Sequence, residues 1–219
     1  MQERANRTRR LILQAAAEMF EARGYTGARL EDIVARPKVS KGALYFHFPS
    51  KEALASAVVD EYRCLWPSLI DELRPDFPRS MHLLFALSGR LAGRFREDAL
   101  MRAGTRLAIE RNLVSPSVRK LFRGWAGDLE DLLAEARDQG DLVAGADIES
   151  LAGFLVAALT GCQQVFATMD DDTDLQRCVR MMWWSVLPGL VEADRLTEMR
   201  ALLLTGLTAD PATGSPARG

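Results

Sequence analysis

Cysteine and histidine are both scarce in this chain, and the scarcity excludes much chemistry. The three cysteines, Cys64, Cys162 and Cys178, are odd in number, far apart and without metal-ligand spacing. That rules out a disulfide scaffold and a thiolate metal site, and leaves reduced side chains expected to be buried or idle. The two histidines, His47 and His82, fall in different elements, so neither finds a sequence partner for acid–base or metal work. G-x-S-x-G, H-E-x-x-H and glycine-rich phosphate loops are absent, and no Ser/His/Asp or Cys/His grouping stands out. No enzyme, cofactor or metal is therefore expected. The run Asp170-Asp171-Asp172-Thr173-Asp174 resembles part of a calcium loop but lacks its glycine and distant glutamate, and reads as a turn and helix cap.

Long apolar runs are missing too. None reaches the roughly 18 residues of a membrane helix, and MQERANRTRR has no apolar centre to serve as a signal peptide, so a soluble cytoplasmic protein is expected. Strand-like alternation and internal repeats are lacking as well, which points to an all-α chain.

What is present is a hydrophobic content of 48% in 219 residues, enough for a sizeable core, and an uneven distribution of charge. Up to Lys51 there are ten basic and five acidic residues; with a chain total of -2, the remainder carries -7. A basic first quarter on an acidic body is the footprint of a polyanion-binding module.

That quarter reads as three short helices. The first is capped at Asn6, buries Ile12, Ala16, Met19 and Phe20, and ends at Gly24. A second, about 30–35, turns Leu30, Ile33 and Val34 inward and stops before Pro37. Ser40 caps a third, about 41–46, followed by Pro49. Gly42 and Ala43 are small enough for close approach to DNA, while Lys41, Tyr45 and His47 reach phosphates or base edges. Leu44 and Phe48 anchor this helix to the first two. Ser50 caps a fourth helix, with Lys51 in its first turn beside N–H groups that suit phosphate. Arg29 and Lys38 add charge near the same face. The arrangement is a helix-turn-helix, expected to bind palindromic operator DNA.

Over about 45 positions, RRLILQAAAEMFEARGY followed by VSKGALYFHFPSK resembles the DNA-binding domain of the TetR family of transcriptional repressors. Arg29 stands where that family usually has a capping Ser or Thr, with Thr26 as a possible substitute, and Pro37-Lys38 stands where Ala-Gly is common. The resemblance implies a helix-turn-helix domain over residues 1–51 and a helical ligand-binding and dimerisation domain over 52–207. The tail, 208–219, has the composition of disorder.

The body reads as helices of about 50–74, with Pro67 expected to kink it, then 80–95, 98–111, 116–139 and 147–169, and a last one from about 173 interrupted at Pro188-Gly189. GALYFHFPSK, AVVDEYRCLWP and RAGTRLAIER followed by Trp125 further resemble actinomycete receptors for γ-butyrolactone or related furan-type signals. Those receptors hold ligand near a tryptophan, which implies Trp125 as a ligand contact; Trp66, Tyr62 and Arg106 fall within matching runs. By helix face alone, Phe85, Phe122, Thr160, Gln163 and Gln164 are candidate lining residues, though Thr160 and the glutamines fit helix packing or a dimer contact equally well. The last two helices, with Met181, Met182, Trp183 and Trp184, bring more apolar surface than one subunit hides, which suits the pairing through these helices that the resemblance implies; core filling is the alternative for some of these aromatics. The expected function is a homodimeric, ligand-responsive repressor; the alternative is a ligand-independent DNA-binding protein whose body only dimerises.

Overall fold

A computed structural model describes residues 2–35, 40–110, 116–167 and 175–208. Among these the secondary structure is helical throughout: α1 Gln2–Gly27, α2 Leu30–Val34, α3 Lys41–His47, α4 Lys51–Leu73, α5 Ser80–Glu97, α6 Ala99–Glu110, α7 Pro116–Asp138, α8 Ile148–Phe166, α9 Leu175–Val186 and α10 Leu196–Thr208. The Asp170–Asp174 run, Pro37-Lys38 and the tail beyond Thr208 lie outside the described residues.

The described residues group into two compact units. One takes the chain up to Leu65 together with Glu97–Gly124; the other takes Trp66–Arg96 and the chain from Trp125 onward. Helices α4 and α7 each contribute to both.

In the first unit α1 starts at Gln2 rather than at an Asn6 cap. The residues before Asn6 are helix-competent, and the Thr8 hydroxyl donates to the Arg4 carbonyl at 2.9 Å, which a helical backbone alone places within reach. Gly24 interrupts the helix, with φ 66° and ψ -179°, but a further turn follows to Gly27. Ile12, Ala16, Met19 and Phe20 are buried as their spacing predicts, together with Ile33, Leu44 and Phe48. Leu30 and Val34 remain half-buried.

In the second unit Leu84, Leu87 and Leu91 of α5 are buried, and so is the stripe Leu129, Leu132 and Ala136 of α7. Helix α10 lies close on α5: a Cβ on Gly89 would come within 2.7 Å of the Leu207 carbonyl, and one on Gly206 within 2.8 Å of Phe85. The buried Asp141 carboxylate is held by Arg79 and by Arg195, the latter at 2.8 Å, so its charge is paired twice. Asp147 caps α8 by accepting from the Ser150 N–H at 3.1 Å. The backbone of α4 stays helical through Pro67.

One sequence expectation is corrected here. Helix α8 is long and apolar enough to cross a membrane by length and composition, although no such run was expected, because Gly, Ala, Thr and Gln dilute its leucines without adding charge. Cys64 is exposed, Cys162 and Cys178 are half-buried, and none of the three forms a disulfide. Burial pushes the Cys162 thiol up to about 12, and its hydrogen bond with the Cys178 thiol adds to the rise.

Candidate functional site

Two sites stand out, one in each unit. In the first, Ser40 Oγ accepts the Ala43 N–H at 3.1 Å and starts α3 where the sequence predicts. The Phe48 N–H, bonded to the Leu44 carbonyl at 2.8 Å, closes it. Leu44 and Phe48 are buried, and Arg9 stacks over the Phe48 ring at 5.6 Å. The anchor fixes what remains outside: Lys41, Gly42, Tyr45 and Phe46 are exposed, with Ala43 and His47 half-buried.

A Cβ on Gly42 would meet no protein atom within 4 Å, so the space this glycine leaves open faces outward. Gly42→Ala is accordingly expected to leave stability unchanged or raise it by up to about 1 kcal/mol. Operator affinity should fall about tenfold, equivalent to about 1.4 kcal/mol of lost contact. Thermal melts and DNA titrations on one preparation check both; equal affinity would show that the DNA backbone does not approach this point.

Ser50 Oγ accepts the Ala53 N–H at 3.1 Å and caps α4. Lys51 is turned onto its own protein, with Nζ donating to the Thr26 carbonyl at 3.2 Å and lying 4.7 Å from the Tyr25 ring centroid. Arg29 is the exposed N-cap of α2, and neither it nor a substitute supplies a side-chain cap bond there. Lys38 is outside the described residues.

Behind this face α6 grips the end of α1. Arg106 donates from Nη1 to the Glu21 carbonyl and from Nε to Glu110 Oε1, both at 2.6 Å. Glu110 Oε2 then accepts the Tyr25 N–H at 2.7 Å, and Arg102 pairs with Glu21 at 2.6 Å. Arg106, expected beside a ligand, therefore has its guanidinium engaged by α1 and Glu110. Tyr62 is buried in the same unit, where the Thr105 hydroxyl donates to its oxygen at 2.9 Å. Burial raises the Tyr62 hydroxyl above its ordinary range and keeps it neutral. Phe122 is half-buried, also in this unit.

In the second unit the rings of Trp66 and Trp125 stack at 4.7 Å with an interplanar angle of 14°. Both are buried, and Trp66 Nε1 has no hydrogen-bond partner among the described residues. A buried donor without an acceptor costs about 1–3 kcal/mol, which makes this position one that gains from a carbonyl oxygen. Phe85 lies edge-on to Trp183 at 5.1 Å, and Trp183 Nε1 donates to Ser88 Oγ at 3.0 Å. Trp183 thus belongs to the core, the alternative the sequence left open for these aromatics. On α8, Gln163 is buried and Thr160 half-buried, while the Gln164 carbonyl oxygen is buried without a partner among the described residues.

A helix-turn-helix capped in this way is a widespread device, and comparison with known proteins decides between its owners. Residues 12–58 match the family model described as bacterial regulatory proteins, tetR family, and residues 79–192 match the tetracyclin repressor-like C-terminal domain. The chain belongs to the TetR family. Like other TetR-type proteins it is a ligand-responsive, DNA-binding transcriptional repressor. It is 34% identical over 189 residues to the A-factor receptor protein of Streptomyces griseus, which covers 86% of this chain and 66% of that protein. A solved γ-butyrolactone receptor described as ArpA-like superposes with a TM-score of 0.76 at 30% identity, covering 93% of this chain and 98% of that one. The TetR family protein CprB of Streptomyces coelicolor, solved with its operator sequence, gives 0.75 at 32% identity over 92% and 96%.

Proposed function

We propose that this TetR protein acts in the cytoplasm as a homodimeric repressor, not an enzyme, and is released from a palindromic operator by a γ-butyrolactone or related furan or butenolide. Helix α3 of each subunit enters the major groove, with Lys41, Tyr45 and His47 at base edges and phosphates and with Gly42 and Ala43 at the closest approach. The ligand lies beside Trp125, and the Trp66 N–H donates to its carbonyl oxygen. The observation that carries the ligand reading is the buried Trp66–Trp125 stack with its unpartnered indole nitrogen. Its support is that the relatives named as γ-butyrolactone and A-factor receptors align over most of the chain. Trp66 stands on α4, the helix whose first turn follows Ser50 directly. A ligand that favours one position of Trp66 biases the start of that helix, and only its different affinity for the two states releases DNA.

Intrinsic tryptophan fluorescence tests the ligand site. Titration with a synthetic γ-butyrolactone is expected to quench the stack. Trp66→Phe, which keeps the ring but removes the N–H, should weaken binding about five- to tenfold, the worth of one hydrogen bond. Unchanged fluorescence with unchanged operator binding for every γ-butyrolactone and furan tested would favour the ligand-independent reading.

Dimerisation is assigned to α8 and α9. On α8 the exposed residues Gly153, Phe154, Ala157, Gly161 and Val165 recur about once per turn, with small residues where a partner helix approaches. Phe154 is 51% and Met181 of α9 53% exposed, more than isolated surface apolars need. Phe154→Glu is expected to give monomers in sedimentation and to weaken operator binding by about 100-fold, since a single short helix reads too few bases. A dimeric variant of wild-type affinity would move the interface elsewhere.

A further inference from the structure

We propose that Phe46 is a base-reading residue that recognises thymine through its C5-methyl group. This rests on the DNA-binding reading of α3 and adds to it a specificity that none of the hydrogen-bonding residues supplies. Phe46 is 81% exposed, the most exposed large apolar side chain among the described residues. Leu44 and Phe48, two positions to either side, are buried, so the helical turn directs Phe46 away from the protein. Its ring stands edge-on to the His47 imidazole, with centroids 5.1 Å apart at 82°, which gives it a defined orientation.

The ring lines an open groove of about 820 Å³ between the first two turns of α1 and α3. Arg4, Asn6 and Thr8 form one wall; Gly42 and His47 flank the ring on the other. Gly42 lies one turn before Phe46, so the glycine with open space above it and the exposed ring share one strip of the helix. A DNA backbone or base edge drawn close by the glycine meets the ring next. Arg4 stands in the groove wall and exposed Lys41 opens α3 one position before Gly42, a positive charge that suits duplex DNA as the occupant. Phenylalanine has no hydrogen-bonding group, and the apolar feature on base edges in the major groove is the thymine methyl.

The test uses the full-length protein and duplexes selected from a random pool by binding. Each thymine of the selected site is replaced singly by deoxyuridine, which removes only the methyl. For at least one thymine per half-site the affinity is expected to fall about fourfold, the worth of one buried methyl. Phe46→Ala should bind the thymine site as weakly as the wild type binds the uracil site, and should lose nothing further on the change to uracil. Phe46→Leu should keep part of the discrimination. Exposure of the ring predicts that both variants melt with the wild type. Selected duplexes that tolerate uracil at every position, or Phe46→Ala with wild-type affinity, would overturn the role of Phe46 and leave the DNA-binding reading intact; the second result would assign the ring to a protein contact. Selection of no duplex at all would overturn both.

Discussion

Gly24→Ala is expected to destabilise the protein by roughly 3 kcal/mol and to lower its Tm by roughly 6–12 °C. At φ 66° and ψ -179° the backbone sits in a region that is essentially reserved for glycine, with strain of about 1–3 kcal/mol for any other residue. The new Cβ would also come within 2.5 Å and 2.6 Å of the Glu110 carboxylate oxygens and 2.8 Å of Arg106 Nη2. A carboxylate at the end of a side chain can swing aside, but only by giving up the Tyr25 N–H and the Arg106 pair. Each is a charge-assisted bond, discounted here for partial exposure. Because those bonds fix the end of α1, on which α3 packs, operator affinity should fall with stability. Glu110→Ala separates the contributions: it keeps the glycine, loses the bonds and should cost only about 1–1.5 kcal/mol. A Gly24→Ala protein melting within 2 °C of wild type would show that the grip of α6 on α1 is dispensable.

Trp125→Ala is expected to abolish the ligand response and to cost about 3–5 kcal/mol, the usual range for emptying a buried tryptophan site. Since that loss could unfold the protein, Trp125→Phe is the sharper probe. It keeps an aromatic face against Trp66, costs about 1–2 kcal/mol and should still bind operator, while the ligand concentration needed for release rises at least about tenfold. Operator-release titrations alongside melts make the comparison. Wild-type release in Trp125→Phe and Trp125→Ala alike would remove the stack from the ligand site.

Helix α3 and its caps were legible because their determinants are local. Ser40, Gly42, Ala43, Phe48 and Pro49 lie within ten positions, and cap, small face, anchor and stop act on neighbours along the chain. The same pattern also contained the signal for Phe46: with Leu44 and Phe48 as anchors, the residue midway between them has to face outward. Arg106 illustrates the opposite case. An arginine on a helix looks the same whether it meets a ligand or the Glu21 carbonyl, and only tertiary packing decides. The grip of Glu110 on the Tyr25 N–H is likewise a side chain meeting a backbone far away in sequence, with no local trace. The stacking of Trp66 on Trp125 joins α4 to α7, and their types and runs suggested a ligand site through family resemblance, not through spacing. Trp183 and Trp184 are adjacent and equally apolar; helical phase buries the first and leaves the second partly exposed over Arg200, at 4.2 Å.

On the proposed function, α3 holds an operator which a small signalling molecule releases. Fluorescence anisotropy of labelled palindromic duplexes drawn from the region upstream of the protein's own gene, titrated first with protein at low salt and then with a γ-butyrolactone or furan ligand, tests it directly. Saturable binding by a dimer, weakened by salt, is expected, with a return of the anisotropy to that of free DNA as ligand is added. Failure to bind any such site at low salt would contradict it.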